Sequence, residues 1–215
     1  MALCRRTAGT DEFWSIAVDH RAARAALGPL IERFSTGIVL DAGAGQLAWR
    51  PLLQRHATLY IAVDRAPVQR ELSVLCDLQG GLPFADDSVD TVFCCSVLEH
   101  VEDPRRALSE CARVLKPGGR IILSVPFLYY LHGAPQDFFR FTLFGVDLLA
   151  RQTGLRVIEI SASGGATQQI FQFASMLAGA LLGTTVVGRK ITAAFAGALW
   201  RIGHGIDRLD SQKRL

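Results

Sequence analysis

The segment that most constrains the fold is residues 37–45, GIVLDAGAG, in which a short apolar run leads directly into a glycine turn. Residues 37–40 have the apolar, β-branched character of a buried parallel strand. Glycines at 43 and 45 let the backbone turn sharply and approach a ligand closely. A strand that ends in such a turn predicts an α/β fold that binds a nucleotide-like ligand at the turn.

Strand-like and helix-like segments alternate along most of the chain. Further strands are predicted at residues 59–63, 72–76, 91–96, 120–125 and 155–161. Helices are predicted at residues 10–34, 103–115 and 142–153, with Gly28 and Pro29 expected to kink or break the first. The alternation predicts a Rossmann-like, doubly wound, mostly parallel sheet with helices on both faces. We expect three parts: an N-terminal helical cap (1–36), the α/β domain (37–165) and a C-terminal helical extension (166–215).

The net charge and the spacing of the cysteines argue against two classes of function. A formal net charge of +3 lacks the strong basic footprint of nucleic-acid binders, so no nucleic-acid partner is expected. The five cysteines form no C-x-x-C pair and no Cys/His set with zinc-ligand spacing, so no metal site is expected. The N-terminus carries no apolar signal segment. Reduced thiols in a cytoplasmic protein are therefore predicted.

Two ligands compete for the glycine turn. The spacing of Gly43, Gly45 and Ala48, with Asp64 about 20 residues on, fits a dinucleotide fingerprint and an NAD(P)-dependent oxidoreductase. Asp41 favours the other ligand, because a buried carboxylate beside the first glycine would repel a pyrophosphate. The same carboxylate would attract S-adenosylmethionine, which carries an ammonium and a sulfonium.

Two further acids follow predicted strands, and each has two interpretations. Asp64 can accept both ribose hydroxyls, or it can cap a helix that begins near Arg65. Asp77 can accept from an adenine amino group, or it can be an ordinary turn residue.

Four segments, in this order along the chain, resemble motifs of the class I S-adenosylmethionine-dependent methyltransferases. They are residues 39–45 (VLDAGAG), 82–90 (LPFADDSVD), 96–101 (SVLEHV) and 113–119 (RVLKPGG). The resemblance extends over residues 36–161 and is greatest to the small methyltransferases named for type 11.

The resemblance implies S-adenosylmethionine as the cofactor. It implies a methyl transfer to a small-molecule acceptor, for which we expect an oxygen nucleophile. A non-catalytic cofactor-binding protein of the same fold remains the alternative. The positions expected to line the cofactor site are Asp41, Ala42, Gly43, Gly45, Asp64, Arg65, Asp77, Leu78 and the backbone near Ser96.

A long loop after the fifth strand gathers the candidates for catalysis. We expect His132 or Asp137 to be the general base and Arg140 to hold an anionic or hydroxylated acceptor, with Tyr129 and Tyr130 at the substrate. The alternative is an Asp137–Arg140 pair that only fixes the loop. His100 is the other catalytic candidate, unless it packs under the cofactor or caps the next helix. The loop aromatics suggest a glycan or a lipid-linked precursor as acceptor.

The C-terminal region predicts two helices of unusual composition. Ser175, Gly179 and Gly183 recur every four residues, which allows close helix approach. An apolar stripe follows at Ile191, Phe195, Leu199, Ile202, Ile206 and Leu209. Basic residues fall largely outside this stripe, a pattern that suits peripheral contact with an anionic membrane or a homodimer. The alternative is that both helices cover the domain's own sheet, since no partner strand is evident for residues 155–161.

Overall fold

The computed structural model describes residues 7–67 and 71–209. The chain divides into two compact units, one formed by Leu30–Ile160 and the other by Met1–Pro29 with Ser161–Leu215. We call them the α/β unit and the helical unit. The N-terminal cap and the C-terminal extension, which the sequence analysis treats as separate parts, are therefore grouped in one unit.

The described residues form helices and strands in the following order. They are α1 (Asp11–Ser15), α2 (Val18–Phe34), β1 (Gly37–Ala42), α3 (Arg50–Leu53), β2 (Ala57–Asp64), β3 (Val74–Leu75), β4 (Val89–Cys95), a 3-10 turn (Leu98–His100), α4 (Pro104–Val114), β5 (Leu115–Ser124), α5 (Leu143–Gln152), α6 (Ala166–Leu182) and α7 (Val186–Leu209).

The sheet of the α/β unit has the strand order β3-β2-β1-β4-β5 over the described residues. Every pairing in it is parallel. This confirms the Rossmann-like class, since the order reverses beside β1 and creates a switch point where such sheets bind ligands. β1 is central and buried at its carboxyl end, as the apolar run predicts. The predicted third strand is present but shortened to two residues.

The predicted sixth strand is wrong. Residues 155–161 are described but make no strand pairing, and Ile158 and Ile160 are 57% and 38% exposed. A strand needs a neighbour for its backbone hydrogen bonds. The segments that follow are helical instead, so the described residues offer this apolar segment no partner strand.

The boundary between α4 and β5 differs from the predicted turn. α4 begins after Asp103, whose side chain accepts the backbone N–H of Arg106 (2.9 Å). It ends one residue early, and β5 starts immediately at Leu115. Val89 pairs with Leu115 and Thr91 with Arg120, so residues 116–119 form an irregularity inside the strand. The Pro-Gly-Gly sequence therefore kinks β5 rather than preceding it.

The first helix breaks at a different place from the one predicted. α1 is capped by Thr10, whose hydroxyl accepts the N–H of Phe13 (3.3 Å), as the sequence predicts. The helical segment is interrupted at residues 16–17, whereas Pro29 lies inside α2. Val18 and Asp19 at the start of α2 donate their backbone N–H groups to Ser175 Oγ (3.4 Å) and Gln172 Oε1 (2.9 Å). Partners from α6 therefore replace those that a continuous helix would supply.

α6 and α7 pack against each other in the helical unit. A side-chain carbon placed at Gly179 would lie 3.8 Å from Thr192, which confirms the predicted close approach. Across residues 7–67 and 71–209, no helix is long and apolar enough to cross a membrane.

Candidate active site

A cleft of about 280 Å3 lies at the carboxyl ends of β1 to β4 in the α/β unit. Parallel strands bring their carboxyl ends to one edge, so turns that are distant in sequence meet there. The cleft is lined by Gly43, Gly45, Asp64, Arg65, Cys76, Asp77, Leu78, Ser96, Val97, His100, Val101, Gly133 and Gln136.

The glycine turn forms one wall of the cleft. Gly43 and Gly45 both have positive φ angles, +80° and +50°, as the sequence suggests. A side-chain carbon at Gly43 would lie 2.4 Å from Val97, whereas one at Gly45 would meet no atom within 4 Å. Gly43 is therefore required for its packing as well as for its conformation. Gly45 donates its N–H to Asp64 Oδ2 (2.9 Å), which holds the turn against the end of β2.

Asp41 and Ala42 lie behind this wall, and neither lines the cleft that the described residues form. Asp41 is 3% exposed and accepts a hydrogen bond from the Tyr60 hydroxyl (2.6 Å). Burial raises the pKa of Asp41 to about 7, although the Tyr60 hydrogen bond opposes this. The prediction that Asp41 contributes to the cofactor site therefore stays a prediction. Its carboxyl group is buried and supports β1 and β2 from behind the turn.

Asp64 begins no helix among the described residues, so the capping alternative is not observed, and its role toward the ribose stays a prediction. Its Oδ1 accepts the N–H of Ala66 (3.0 Å), and its Oδ2 accepts the N–H of Gly45. Each carboxylate oxygen can accept a second hydrogen bond, so the side chain can still bind two ribose hydroxyls in the cleft that it lines. Arg65 lines the cleft beside it and donates to the side chain of Gln136.

Asp77, Leu78 and Ser96 all reach the cleft, as expected. Asp77 Oδ1 accepts the N–H of Gln79 (2.9 Å), so it is also the turn residue of the alternative interpretation. Leu78 is 5% exposed and gives the cleft an apolar surface. Ser96 has a φ of +56°, which is uncommon for a residue other than glycine and turns the chain sharply after β4.

Asp137 and Arg140 have the structural role of the alternative interpretation. Arg140 binds the Asp137 carboxylate through two N–H groups (2.6 and 2.8 Å). Its other three N–H groups donate to the backbone carbonyls of Tyr129, Tyr130 and Phe139. Arg140 thus has no donor left for an acceptor substrate. The Arg140 guanidinium also holds the pKa of Asp137 well below its usual range, so Asp137 is a poor general base.

Glu99, His100 and the predicted base candidate His132 form a cluster of titratable side chains beside Asp137. Glu99 is fully buried, and neither carboxyl oxygen has a hydrogen-bond partner among the described residues. Burial raises the pKa of Glu99 to about 7. Its Oε1 lies 3.9 Å from Nε2 of His100 and 3.9 Å from Nε2 of His132. Sequence reasoning missed Glu99, because its neighbour His132 comes from a distant loop.

Each histidine ring is held by a contact at Nδ1, the ring nitrogen that does not face Glu99. His100 Nδ1 contacts the backbone carbonyl of Gln136 (2.5 Å), and His132 Nδ1 contacts that of Tyr130 (3.2 Å). A carbonyl can only accept, so each neutral ring carries its proton on Nδ1 and presents the lone pair of Nε2 to Glu99. Burial lowers the pKa of His132, which favours its neutral form.

Neighbouring side chains determine which members of the cluster a ligand in the cleft can reach. His100 lines the cleft, whereas the Tyr129 ring packs edge-on against His132 (centroids 4.9 Å apart) and stacks on Tyr130 (4.5 Å). Tyr130 is 39% exposed and remains available to an acceptor. The three donor atoms of the cluster lie within 4.8 Å of one another, so they could also hold a metal ion. The spacing of these residues in sequence gave no sign of such a set.

The comparison with known families matches the part of the chain that builds the cleft. The strand order, the glycine turn and the acids after β2 and β3 define a Rossmann-like nucleotide-binding domain. Residues 40–123 match the family described as "Methyltransferase domain". This part, which is less than half of the chain, is therefore similar to methyltransferase domains.

Individual relatives agree with this family. An uncharacterized methyltransferase of Mycobacterium sp. (strain KMS) is 35% identical over 94 residues, covering 40% of this chain and 37% of the relative. A ubiquinone biosynthesis O-methyltransferase of Xanthomonas euvesicatoria pv. vesicatoria is 32% identical over 126 residues, covering 53% and 50%. The chain thus spans half or less of these relatives. A SAM-dependent methyltransferase structure from Archaeoglobus fulgidus shares the fold (TM-score 0.56, 22% identity, 66% and 71% covered).

Proposed function

We propose that this chain transfers the methyl group of S-adenosylmethionine to an oxygen of a small-molecule acceptor. The observation that carries the proposal is a single cleft that joins the glycine turn, Asp64 and Asp77 to His100 of the buried cluster. The methyltransferase domain match and the printed name of the Xanthomonas relative, an O-methyltransferase, support it.

The residues of the cleft fit the methyl donor. The donor's amino-acid portion would lie against the glycine turn, where Gly43 carries no side chain and Val97 also lines the cleft. Asp64 would hold the ribose hydroxyls, Asp77 the adenine amino group, and Leu78 the face of the adenine ring. When bound there, S-adenosylmethionine supplies an activated methyl group, whose transfer to a hydroxyl releases S-adenosylhomocysteine and one proton.

The protein must accept that proton, and the Glu99 cluster is built for it. His100 Nε2 has a free lone pair and borders the cleft, so it can take the hydroxyl proton as the oxygen gains the methyl group. Glu99, once ionised, stabilises the resulting imidazolium from 3.9 Å away. The Asp137–Arg140 pair and the carbonyl of Gln136 hold the loop and the ring in place.

The acceptor class follows from the loop that borders the cluster. Phe127, Leu128, Leu131 and Phe138 are between 43% and 71% exposed. Such a surface suits an acceptor with an apolar face, and we propose a glycan or a lipid-linked precursor.

A ligand panel tests the donor part of the proposal. S-adenosylhomocysteine at about a hundred times its Kd should stabilise the folded chain by roughly 2.7 kcal/mol, and NADH should not. Asp64→Ala should lose this stabilisation, whereas the exposed Glu102→Ala serves as the matched control. Stabilisation by NADH instead would favour an oxidoreductase.

A transfer assay tests the enzymatic part. Radiolabelled S-adenosylmethionine is incubated with the chain and a panel of hydroxylated sugars and phenols, and label in the acceptor is counted. Labelled product supports the proposal. Tight S-adenosylhomocysteine binding with no transfer to any acceptor would favour a non-catalytic binding protein.

A further inference from the structure

The hairpin formed by α6 and α7 has an inverted distribution of polar and apolar side chains. Its interior holds small and polar residues, which are Gln168, Gln172, Ser175, Gly188, Thr192, Ala196, Gly197, Gly203 and Asp207. Many of its large apolar residues are exposed, whereas Phe171 and Leu199 are half-buried. Helices that face water show the opposite distribution.

The exposed apolar side chains form one face on each helix. On α6, Ile170, Phe173, Leu177 and Leu181 recur at intervals of three and four residues and are between 52% and 70% exposed. On α7, the predicted stripe is confirmed as a face, but it points outward. Ile191, Phe195, Ile202, Ile206 and Leu209 are between 43% and 85% exposed.

Most of the polar interior is hydrogen-bonded, although Oε1 of Gln168 has no partner among the described residues. Asp207 is 4% exposed and accepts the backbone N–H groups of Gly165 (3.0 Å), Thr167 (3.0 Å) and Gln168 (3.1 Å) at the start of α6. Ser175 and Gln172 accept from the start of α2. Because small residues pack between the helices, the exposed large apolar side chains lie on the outer faces.

The charge on the hairpin has one sign. Residues 166–209 are all described, and the single acid among them is the buried Asp207. Lys190, Arg201 and Arg208 are exposed, and they lie on one side of the α7 apolar face because they are spaced by 11 and 7 residues. An apolar face flanked by cations is the surface that an anionic lipid bilayer binds.

We propose that the α6–α7 hairpin docks on the surface of an anionic lipid bilayer, with its apolar face in the headgroup region and Lys190, Arg201 and Arg208 on acidic headgroups. A second copy of the chain fits less well, because it would bring the same cations to the interface and no exposed acid from the hairpin. The inference does not depend on the methyl-transfer proposal.

Flotation of the full chain with vesicles tests it. The chain should float with vesicles in which about a third of the lipid is phosphatidylglycerol, and much less with pure phosphatidylcholine. Added salt should weaken the binding, because it screens the headgroup charge. A chain that stays at the bottom with both vesicles overturns the proposal.

Two sets of variants separate charge from apolar contact. The double variant Lys190→Gln with Arg201→Gln should weaken binding to the anionic vesicles by at least about tenfold. The matched double variant Arg55→Gln with Arg105→Gln makes the same change in net charge on exposed positions of the α/β unit and should bind like wild type. Phe195→Asn should also reduce flotation, and circular dichroism should confirm that each variant is folded.

A second copy of the chain as the partner would give a different result. If the face joins two copies, sedimentation of the lipid-free chain should give a dimer that Phe195→Asn dissociates, with no flotation. That outcome overturns the membrane proposal. Equal loss of vesicle binding in the Lys190/Arg201 and Arg55/Arg105 double variants would overturn it as well.

Discussion

The α/β unit and the α6–α7 hairpin of the helical unit use their side chains in opposite ways. The α/β unit buries large apolar residues such as Leu40, Val92 and Phe93 and brings its polar side chains to a cleft. In the helical unit, the α6–α7 hairpin buries Gln172, Thr192 and other small or polar residues and exposes large apolar ones, whereas Trp14 and Leu27 of the N-terminal helices are buried. The first distribution is that of a protein core beside a ligand site. The distribution in the hairpin is the basis of the proposed bilayer contact.

Their buried acids differ in the same way. Asp207 of the helical unit has three backbone donors and completes the start of a helix. Glu99 of the α/β unit has no hydrogen-bond partner among the described residues and faces two histidines. An acid that is satisfied contributes to stability, whereas one that is buried without donors reduces stability and is available for chemistry. The predictions below test this difference.

The largest effect should be on catalysis in the α/β unit. His100→Ala removes the proton acceptor and should lower methyl transfer by about 10² to 10⁴-fold. S-adenosylhomocysteine affinity should fall by less than about tenfold, because the backbone and acids of the cleft remain. The assay is run with and without a chelator, since the cluster could also hold a metal ion. Wild-type turnover of His100→Ala would remove this residue from the mechanism.

Truncation of apolar side chains should destabilise the buried core of the α/β unit much more than the exposed face of α7. Leu40→Ala in β1 should lower the free energy of unfolding by about 2–5 kcal/mol, because it opens a cavity in a fully buried site. Ile202→Ala on α7 should change it by less than about 0.5 kcal/mol, since that side chain is 54% exposed. Chemical denaturation of both variants measures the difference. Comparable losses would show that the α7 face is part of a core.

Glu99 should make stability depend on pH. Its pKa rises from an ordinary value of 4.5 to about 7 in the folded chain, so the folded state holds a proton that the unfolded state has released between these values. Stability should therefore fall as the pH rises through this window, by up to about 3 kcal/mol. Glu99→Gln should match wild type near pH 5 and exceed it near pH 8 by up to about 3 kcal/mol. An unchanged pH profile in the variant would contradict the burial of an unpaired acid.

Substitution of Asp207 should lower the free energy of unfolding, in contrast to Glu99→Gln, which should raise it near pH 8. Asp207→Ala leaves three N–H groups at the start of α6 without their acceptor and should destabilise the chain by about 1–3 kcal/mol. Asp207→Asn keeps an acceptor oxygen and should lose less. Urea denaturation of both variants measures this order, and an alanine variant as stable as wild type would remove the capping role.

Much of the α/β unit could be predicted from the sequence, because its signals are local. The glycine turn, the acids after two strands and the capped helices each lie within a few residues, and parallel strands bring them to one edge. Prediction from local sequence failed where contacts with residues distant in sequence determine the structure. Residues 155–161 look like a strand but have no partner, and Arg140 looks like a substrate ligand but is fully used by its own loop.

The Glu99 cluster and the outward face of α7 both depend on neighbours that are distant in sequence. Glu99 is one acid among many until the fold places His132 beside it. The stripe on α7 was evident from its spacing, but the side that faces outward depends on the small residues of α6 that pack against the other side. The sequence does not reveal that Asp41 is buried, which raises the pKa of its carboxyl group, while the Tyr60 hydroxyl opposes this rise.

The central claim, that the cleft beside the glycine turn binds the methyl donor, is tested most directly by calorimetric titration of S-adenosylhomocysteine into two matched variants. Gly43→Ala must push Val97 into the cleft and adopt a φ of +80°, so it should lose at least about a hundredfold in affinity. Gly45→Ala meets no atom within 4 Å and should lose less than about tenfold. Wild-type affinity in Gly43→Ala would contradict the account.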